Sequence, residues 1–310
     1  MANKARSRVA DYLVYLAVRI AVGVVQGLSF DTACGFARLL AWCVYTIDRR
    51  HRRVAIENLG MAFPGQMSPQ QTDNVVRQVY GHFCQMVVEL ALLPRRMHVN
   101  NWKRFVDMRN GGRMVEALLC GRPLLIVTGH FGNWEIAGYS LGLLGFTTHA
   151  IARTLDNPYL DDYLRQFRER TGQKTLAKKG DFDQIEQVLA DGGVLATLAD
   201  QDAGQRGLFV NFFGRPASTH KAVALMALEH QVPMLVIGTP RLDGRYVVCP
   251  GELIDPLDYE KSPDAARAIT ERFTSDFEQL VRLAPEQYFW LHRRWKHQPL
   301  PRKSKPSQAA

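Results

Sequence analysis

Leu124-Leu125-Ile126-Val127-Thr128-Gly129-His130-Phe131-Gly132-Asn133-Trp134-Glu135 joins a short apolar run to a glycine-framed turn, after which apolar residues recur at helical spacing. A five-residue apolar run of this kind predicts a strand buried on both faces, as in the parallel sheet of an α/β fold. His130 then sits at the carboxyl end of a strand. Open α/β sheets bind ligands at that edge, and the N-terminus of the following helix favours negative charge there.

Outward from this segment, short apolar runs alternate with helical ones. Strands are expected at 123–128, 148–152, 194–198, 233–238 and 246–249, and helices near 134–144, 158–171, 182–191, 219–231 and 263–283. Asn157, Pro158 and Gly172 punctuate the second of these helices as cap, first residue and stop. Upstream, Ser68-Pro69-Gln70-Gln71 has the form of a capping box with proline at the first helical position. Val75, Val76, Val79, Tyr80, Phe83, Met86, Val87 and Leu90 follow at helical spacing, so an amphipathic helix is expected to end before Pro94. The predicted architecture is one α/β catalytic domain, a mostly parallel or mixed sheet flanked by helices, with an N-terminal membrane-associated helix or hairpin. Residues 1–48 are assigned to that anchor, 49–298 to the catalytic domain, and 299–310, rich in Pro, Lys and Ser, to a disordered basic tail.

Apolar residues from Tyr12 to Phe30 follow Lys4, Arg6 and Arg8 and are interrupted by Arg19 and Gln26. About 20 helical residues cover the roughly 30 Å hydrocarbon core of a bilayer, although Arg19 costs about 3 kcal/mol on insertion scales. With no small-residue cleavage site after it, the run is taken as a retained anchor. A second apolar run, 33–46, favours a hairpin or monotopic arrangement; a buried helical pair is the alternative.

Composition narrows the class. With 46% hydrophobic and 22% charged residues, the chain of 310 residues has the makeup of a folded protein and not of a disordered one. Its net charge of +9 implies an anionic partner: nucleic acid, a phospholipid surface or an acidic carrier protein. Cys34, Cys43, Cys84, Cys120 and Cys249 are scattered and odd in number, which suggests neither a disulfide framework nor a zinc site.

His130 and Glu135 are five residues apart. On one straight helix they would lie about 140° from each other and could not meet. If Gly129 and Gly132 make a turn and a helix starts near Asn133, Glu135 in its first turn is expected to reach back to the imidazole. A carboxylate on one ring nitrogen fixes the tautomer and leaves the other nitrogen free to take a proton from an alcohol. No Gly-x-Ser-x-Gly elbow and no His-Glu-x-x-His pattern accompanies the pair, so the base is expected to act directly on a substrate hydroxyl. The oxyanion donors are expected among backbone N–H groups near the glycine turn, or from an arginine.

These residues resemble the lysophospholipid acyltransferase superfamily, whose signature is His-x4-Asp/Glu, and within it the lipid A biosynthesis (lauroyl/myristoyl) acyltransferases. The resemblance extends to Glu57-Asn58-Leu59, Ala62-Phe63-Pro64, Arg153 with Asp156-Asn157-Pro158, Leu198-Ala199-Asp200-Gln201-Asp202, the run from Val210 to Thr219, and the closing Trp290-Leu291-His292-Arg293-Arg294-Trp295-Lys296. It implies transfer of a fatty acyl chain from an acyl carrier protein or coenzyme A thioester to a membrane glycolipid, without a cofactor or metal, at the cytoplasmic face of a bacterial inner membrane. It also implies His130 as base, Glu135 as its partner, and Arg153, Asp200, Asn133, Gly132 and Phe213 as substrate-binding residues. Asp200 is expected to orient the acceptor or hold Arg153, and Phe213 to shape the acyl groove.

The chain departs from the family pattern at Ala199, where proline is common, and at Ala222 and Gln231, where glycines are expected. Trp290 to Lys296 mixes aromatic and basic side chains and is assigned to a membrane interface. The same mixture would suit nucleic acid, but no nucleic-acid-binding module accompanies it. Thioester hydrolysis, acylation of a phosphatidylinositol mannoside-type glycolipid, and a catalytically idle membrane-binding protein are the rival functions.

Overall fold

The computed structural model describes residues 7–108, 111–178 and 180–300. Four helices come first: α1 (Arg8–Gly27), α2 (Phe30–Ile47), α3 (Arg49–Ala62) and α4 (Pro69–Arg96), capped by Ser7, Ser29, Asp48 and Ser68. The capping box at Ser68 forms as expected, with Gln71 N donating to Ser68 Oγ at 3.2 Å and Ser68 N to Gln71 Oε1 at 2.7 Å. The expected stop before Pro94 is not where α4 ends. Pro94 lies in the last turn, where its missing N–H costs one hydrogen bond, and Met97 N still reaches Leu93 O at 2.9 Å.

The remainder alternates strand and helix: β1 (Val106–Asp107), α5 (Gly112–Leu119), β2 (Leu124–Thr128), α6 (Trp134–Leu143), β3 (Thr148–Ala152), α7 (Pro158–Glu169), β4 (Gln173–Ala177), α8 (Phe182–Ala190) and β5 (Val194–Leu198). Then follow β6 (Leu208–Phe212), β7 (Arg215–Thr219), α9 (Ala222–Glu229), β8 (Met234–Gly238), β9 (Arg241–Leu242), β10 (Arg245–Val247), β11 (Cys249–Ile254) and α10 (Ala265–Leu283). The main sheet has the order β11-β8-β2-β5-β3-β4, parallel except for β11. β2 is central. Its Leu124 and Ile126 pack with α5 and α6, while Leu125 and Val127 pack on the opposite face with α9 and α10, which is why the run is apolar throughout.

The five expected strands all form, though 246–249 divides between β10 and β11. β4 and the β6–β7 hairpin were not anticipated: β4 mixes polar with apolar residues at the sheet edge, and the hairpin forms a sheet of its own. Phe213 and Gly214 turn the hairpin with φ of 52° and 74°, the two left-handed residues of a type I′ turn. Phe213 tolerates it because its N–H donates to Glu278 Oε2 at 2.5 Å and its ring packs against Phe63 and Trp290. Gln231 also has a positive φ of 51°, so the glycine expected there answers a backbone requirement that this chain meets with strain.

Among the described residues one helix, α1, is long and apolar enough to cross a membrane. It lies along the catalytic domain: Asn157 Nδ2 donates to Asp11 O at 2.9 Å, and Tyr12 packs edge-on to Tyr159. Arg19, the charge that interrupts the run, donates to Tyr15 Oη at 3.0 Å and lies 4.9 Å from the centroid of the Tyr163 ring. Leu13, Ile20 and Val24 on α1, and Phe36, Leu39 and Trp42 on α2, are exposed. The basic tail assigned to 299–310 lies, from 301 onward, outside the described residues.

Candidate active site

β2 and β5 are neighbours in register, Thr128 opposite Leu198, and Ala199 N extends the ladder to Thr128 O at 2.9 Å. Two residues past that register on each strand stand His130 and Asp200. Asp200 Oδ1 lies 2.9 Å from His130 Nδ1, and Asp200 Oδ2 accepts from His130 N at 3.0 Å. The carboxylate that orients the imidazole therefore comes from the adjacent strand end and not from Glu135, correcting the expected pairing.

The reason lies in the turn. Gly132 adopts φ of 61°, and a Cβ there would stand 2.0 Å from Thr239 O. A Cβ on Gly129 would stand 2.2 Å from Phe277 Cζ and 2.9 Å from Asp200 Cβ, so only glycine lets the turn close on Asp200. Gly132 N donates to Gln287 O (3.0 Å), Asn133 N to Thr239 O (2.9 Å), and Phe289 N to His130 O (2.9 Å). With Phe131 N donating to Gly129 O at 2.7 Å, the amides of 130 to 133 are all engaged, which holds His130 rigidly and leaves none of these four for an oxyanion.

Asn133 caps α6, its Oδ1 accepting from Ile136 N at 3.0 Å, and is wholly buried. Glu135 leaves the first turn of α6 toward α7. There Arg168 clamps it in two places, Nη2 to Oε1 at 2.5 Å and Nε to Oε2 at 3.0 Å, while Trp134 Nε1 donates to Oε1 at 3.2 Å. Glu135 acts on His130 only through space.

Burial would lower the His130 pKa, but Asp200, by charge and hydrogen bond, and Glu135 by charge outweigh it and raise the value above that of an ordinary histidine. Burial pushes the Asp200 carboxyl up; His130 and then His292 overcome this and hold it far below the usual carboxylate range. Asp200 thus stabilises the imidazolium whenever His130 takes up a proton. His130 keeps 23% of its side-chain surface exposed, and among the described residues its Nε2 has no hydrogen-bond partner. That nitrogen is free to accept a proton.

Two further residues, His292 and Asn58, shape the site without a local sequence pattern that marks them. His292 Nε2 lies 3.7 Å from Asp200 Oδ2 and 3.1 Å from Tyr288 Oη, so two histidines flank one buried aspartate. Asn58 Nδ2 holds the segment by bonds of 2.7 Å to both Trp290 O and His292 O. The run from Trp290 to Lys296 is consequently not an interfacial belt: Trp290, Arg294 and Trp295 are buried. Arg294 donates to Ser218 O at 2.6 Å and Thr219 Oγ1 at 2.7 Å and packs on the Phe212 ring. A basic–aromatic run has the same composition in either setting, and only the partners on β7 distinguish them.

One hollow adjoins the pair through Trp134. It is apolar and lies between α6, α5 and the sheet, walled by Met114, Ile126, Trp134, Leu141, Ile237 and Val248. Trp134 belongs to both places, its ring 5.0 Å from that of His130. Phe213, expected in an acyl groove, is not part of this wall and sits in the core. A second, mixed polar and apolar hollow lies at the carboxyl ends of β3 and β4, flanked by Arg153, Arg165 and Arg168 together with Asp161 and Asp181. Arg153 is exposed and pairs with Asp156 at 3.1 Å; Asp200, bound to His130, does not hold it.

A histidine held by a buried carboxylate at the carboxyl edge of an α/β sheet, with an apolar hollow beside it, has the parts that activating a hydroxyl or water next to a hydrocarbon chain requires. The sequence model of the bacterial lipid A biosynthesis acyltransferases matches residues 1–297, and the chain belongs to that family. It is 25% identical to the lipid A biosynthesis lauroyltransferase of Escherichia coli (strain K12), over 93% of this chain and 92% of that one. It is 26% identical to the phosphatidylinositol mannoside acyltransferase of Mycobacterium tuberculosis (strain ATCC 25618 / H37Rv), over 70% and 67%. Among solved structures, the 1-acyl-sn-glycerophosphate acyltransferase PlsC from Thermotoga maritima aligns at a TM-score of 0.35 and 14% identity over 81% of this chain and 98% of that one, too slight a likeness to weigh on the site.

Proposed function

We propose that this acyltransferase moves a fatty acyl chain from an acyl carrier protein or coenzyme A thioester to a hydroxyl of a lipid A precursor at the cytoplasmic face of the inner membrane. His130 serves as base and Asp200 as its partner. Nε2 takes the hydroxyl proton as the oxygen attacks the thioester carbonyl, and the C–S bond breaks from the resulting tetrahedral species. The thiolate then recovers the proton from the imidazolium, so base and acid roles close on one ring. Asp200 stabilises that imidazolium, Trp134 and the apolar chamber suit the acyl chain, and the exposed Arg153 suits an anionic part of a substrate. The observation that carries this reading is the His130–Asp200 pair with Nε2 unengaged beside an apolar chamber.

The test compares lipids from cells with and without the protein by mass spectrometry. One acyl mass absent from lipid A, restored by the wild-type chain but not by His130→Ala, is the expected result. Restoration by His130→Ala would remove the base assignment. Loss from a phosphatidylinositol mannoside-type glycolipid instead would change the acceptor, a reading favoured by the mycobacterial relative.

A further inference from the structure

The end of α4, the start of α2 and the β9–β10 hairpin line an open hollow. Its floor is apolar, formed by Phe30, Leu92, Leu93, Phe105 and Ile136. Its rim carries Arg96, Arg104 and Arg241. Arg241 is matched by buried Glu89, which also accepts from Tyr246 Oη at 2.5 Å. Arg96 and Arg104 have no carboxylate within 4.0 Å among the described residues; the guanidinium of Arg96 lies 5.2 Å from the Phe30 ring centroid. Both are held on one turn: Asn101 Nδ2 donates to Arg96 O at 2.8 Å, Asn101 Oδ1 accepts from His98 N at 2.7 Å, and Arg104 N donates to Asn101 O at 3.0 Å.

Two uncompensated guanidinium groups over an apolar floor match an amphiphile with a phosphate head and a hydrocarbon tail. A free anion would leave the floor bare, and a neutral lipid would leave the cations unmatched. The position fits the same occupant. Gln26, at the end of membrane-length α1, donates to Ala91 O at 2.8 Å and accepts from Arg95 Nη1 at 3.3 Å, which pins the α1–α2 turn beside this rim.

We propose that this hollow binds one anionic phospholipid, at a site separate from the catalytic pair. It has a route to the turn that holds His130: Arg241 exchanges bonds of 2.7 and 2.9 Å with the Gln287 side chain, and Gln287 O accepts from Gly132 N at 3.0 Å. The test titrates the full chain, in neutral detergent, with soluble dihexanoyl phosphatidylglycerol while following thermal unfolding. A ligand that binds only the folded state raises Tm in a saturable way. Wild type and His130→Ala are expected to respond alike, the double variant Arg96→Ala/Arg104→Ala to bind at least about tenfold more weakly, and Leu92→Trp, which fills the floor, to lose the response. Both arginines are at least partly exposed, so the double variant is expected to fold. No saturable rise, equal affinity in the double variant, or an equal response to inorganic phosphate or dihexanoyl phosphatidylcholine would each overturn the proposal, as would loss of the response in folded His130→Ala.

Discussion

The imidazole of His130 has two nitrogens in different settings, Nδ1 bound to Asp200 and Nε2 unengaged, and the proposed chemistry rests on that asymmetry. A base must be unprotonated to act, and the His130 pKa is raised, so activity is expected to fall with decreasing pH on a limb above that of an ordinary histidine near about 6.5. Asp200→Asn removes the main raising influence and leaves burial, which lowers the pKa, opposed only by the charge of Glu135. The acid limb should therefore move to lower pH while kcat falls by about 10²- to 10⁴-fold, measured as kcat against pH. A variant whose limb stays in place would show that Asp200 does not tune His130. His130 and the glycines were legible as a strand-end turn. The identity of the partner was not, because Asp200 is 70 residues away in sequence and becomes adjacent only when β5 pairs with β2.

At the scale of elements, α6 and α7 are joined by Glu135 and Arg168, whose side chains are only 8% and 14% exposed. Removing one partner leaves a charge largely buried and unpaired, so Glu135→Gln is expected to destabilise the fold by about 3 kcal/mol, measured by denaturant unfolding. Its acid limb should move less than that of Asp200→Asn, since Glu135 reaches His130 only through space. Equal shifts in both variants would restore Glu135 as a direct partner. The helices with caps and apolar stripes, such as α4 and α7, could be read from their own residues. β4 and β7 could not, because their mixed polar and apolar residues answer to neighbours and not to a periodic pattern, and β6 pairs only with β7.

Across the whole molecule, the net charge of +9 bears on the encounter with an acidic donor protein. Raising ionic strength is expected to slow association with an acyl carrier protein, while transfer from a small thioester changes little; stopped-flow association rates at several salt concentrations provide the measurement. Rates indifferent to salt would exclude charge steering. The exposed apolar faces of α1 and α2 add a second surface, set beside the arginine-rimmed hollow.

What the residues determined by themselves were the local matters: the buried β2 strand, the capped helices, the membrane-length run of α1, and the glycine turn that delivers His130 to a sheet edge. Each depends on periodicity or backbone freedom within a few residues. Tertiary structure alone decided which carboxylate meets His130, why Trp290 to Lys296 is buried, and where Phe213 packs. A carboxylate's partner, or an arginine's, is chosen by which strand ends and helix faces come within about 3 Å, and strand order is a property of the whole chain. Gly129 belongs to both levels: its small size was visible at once, but the Asp200 side chain it makes room for was not.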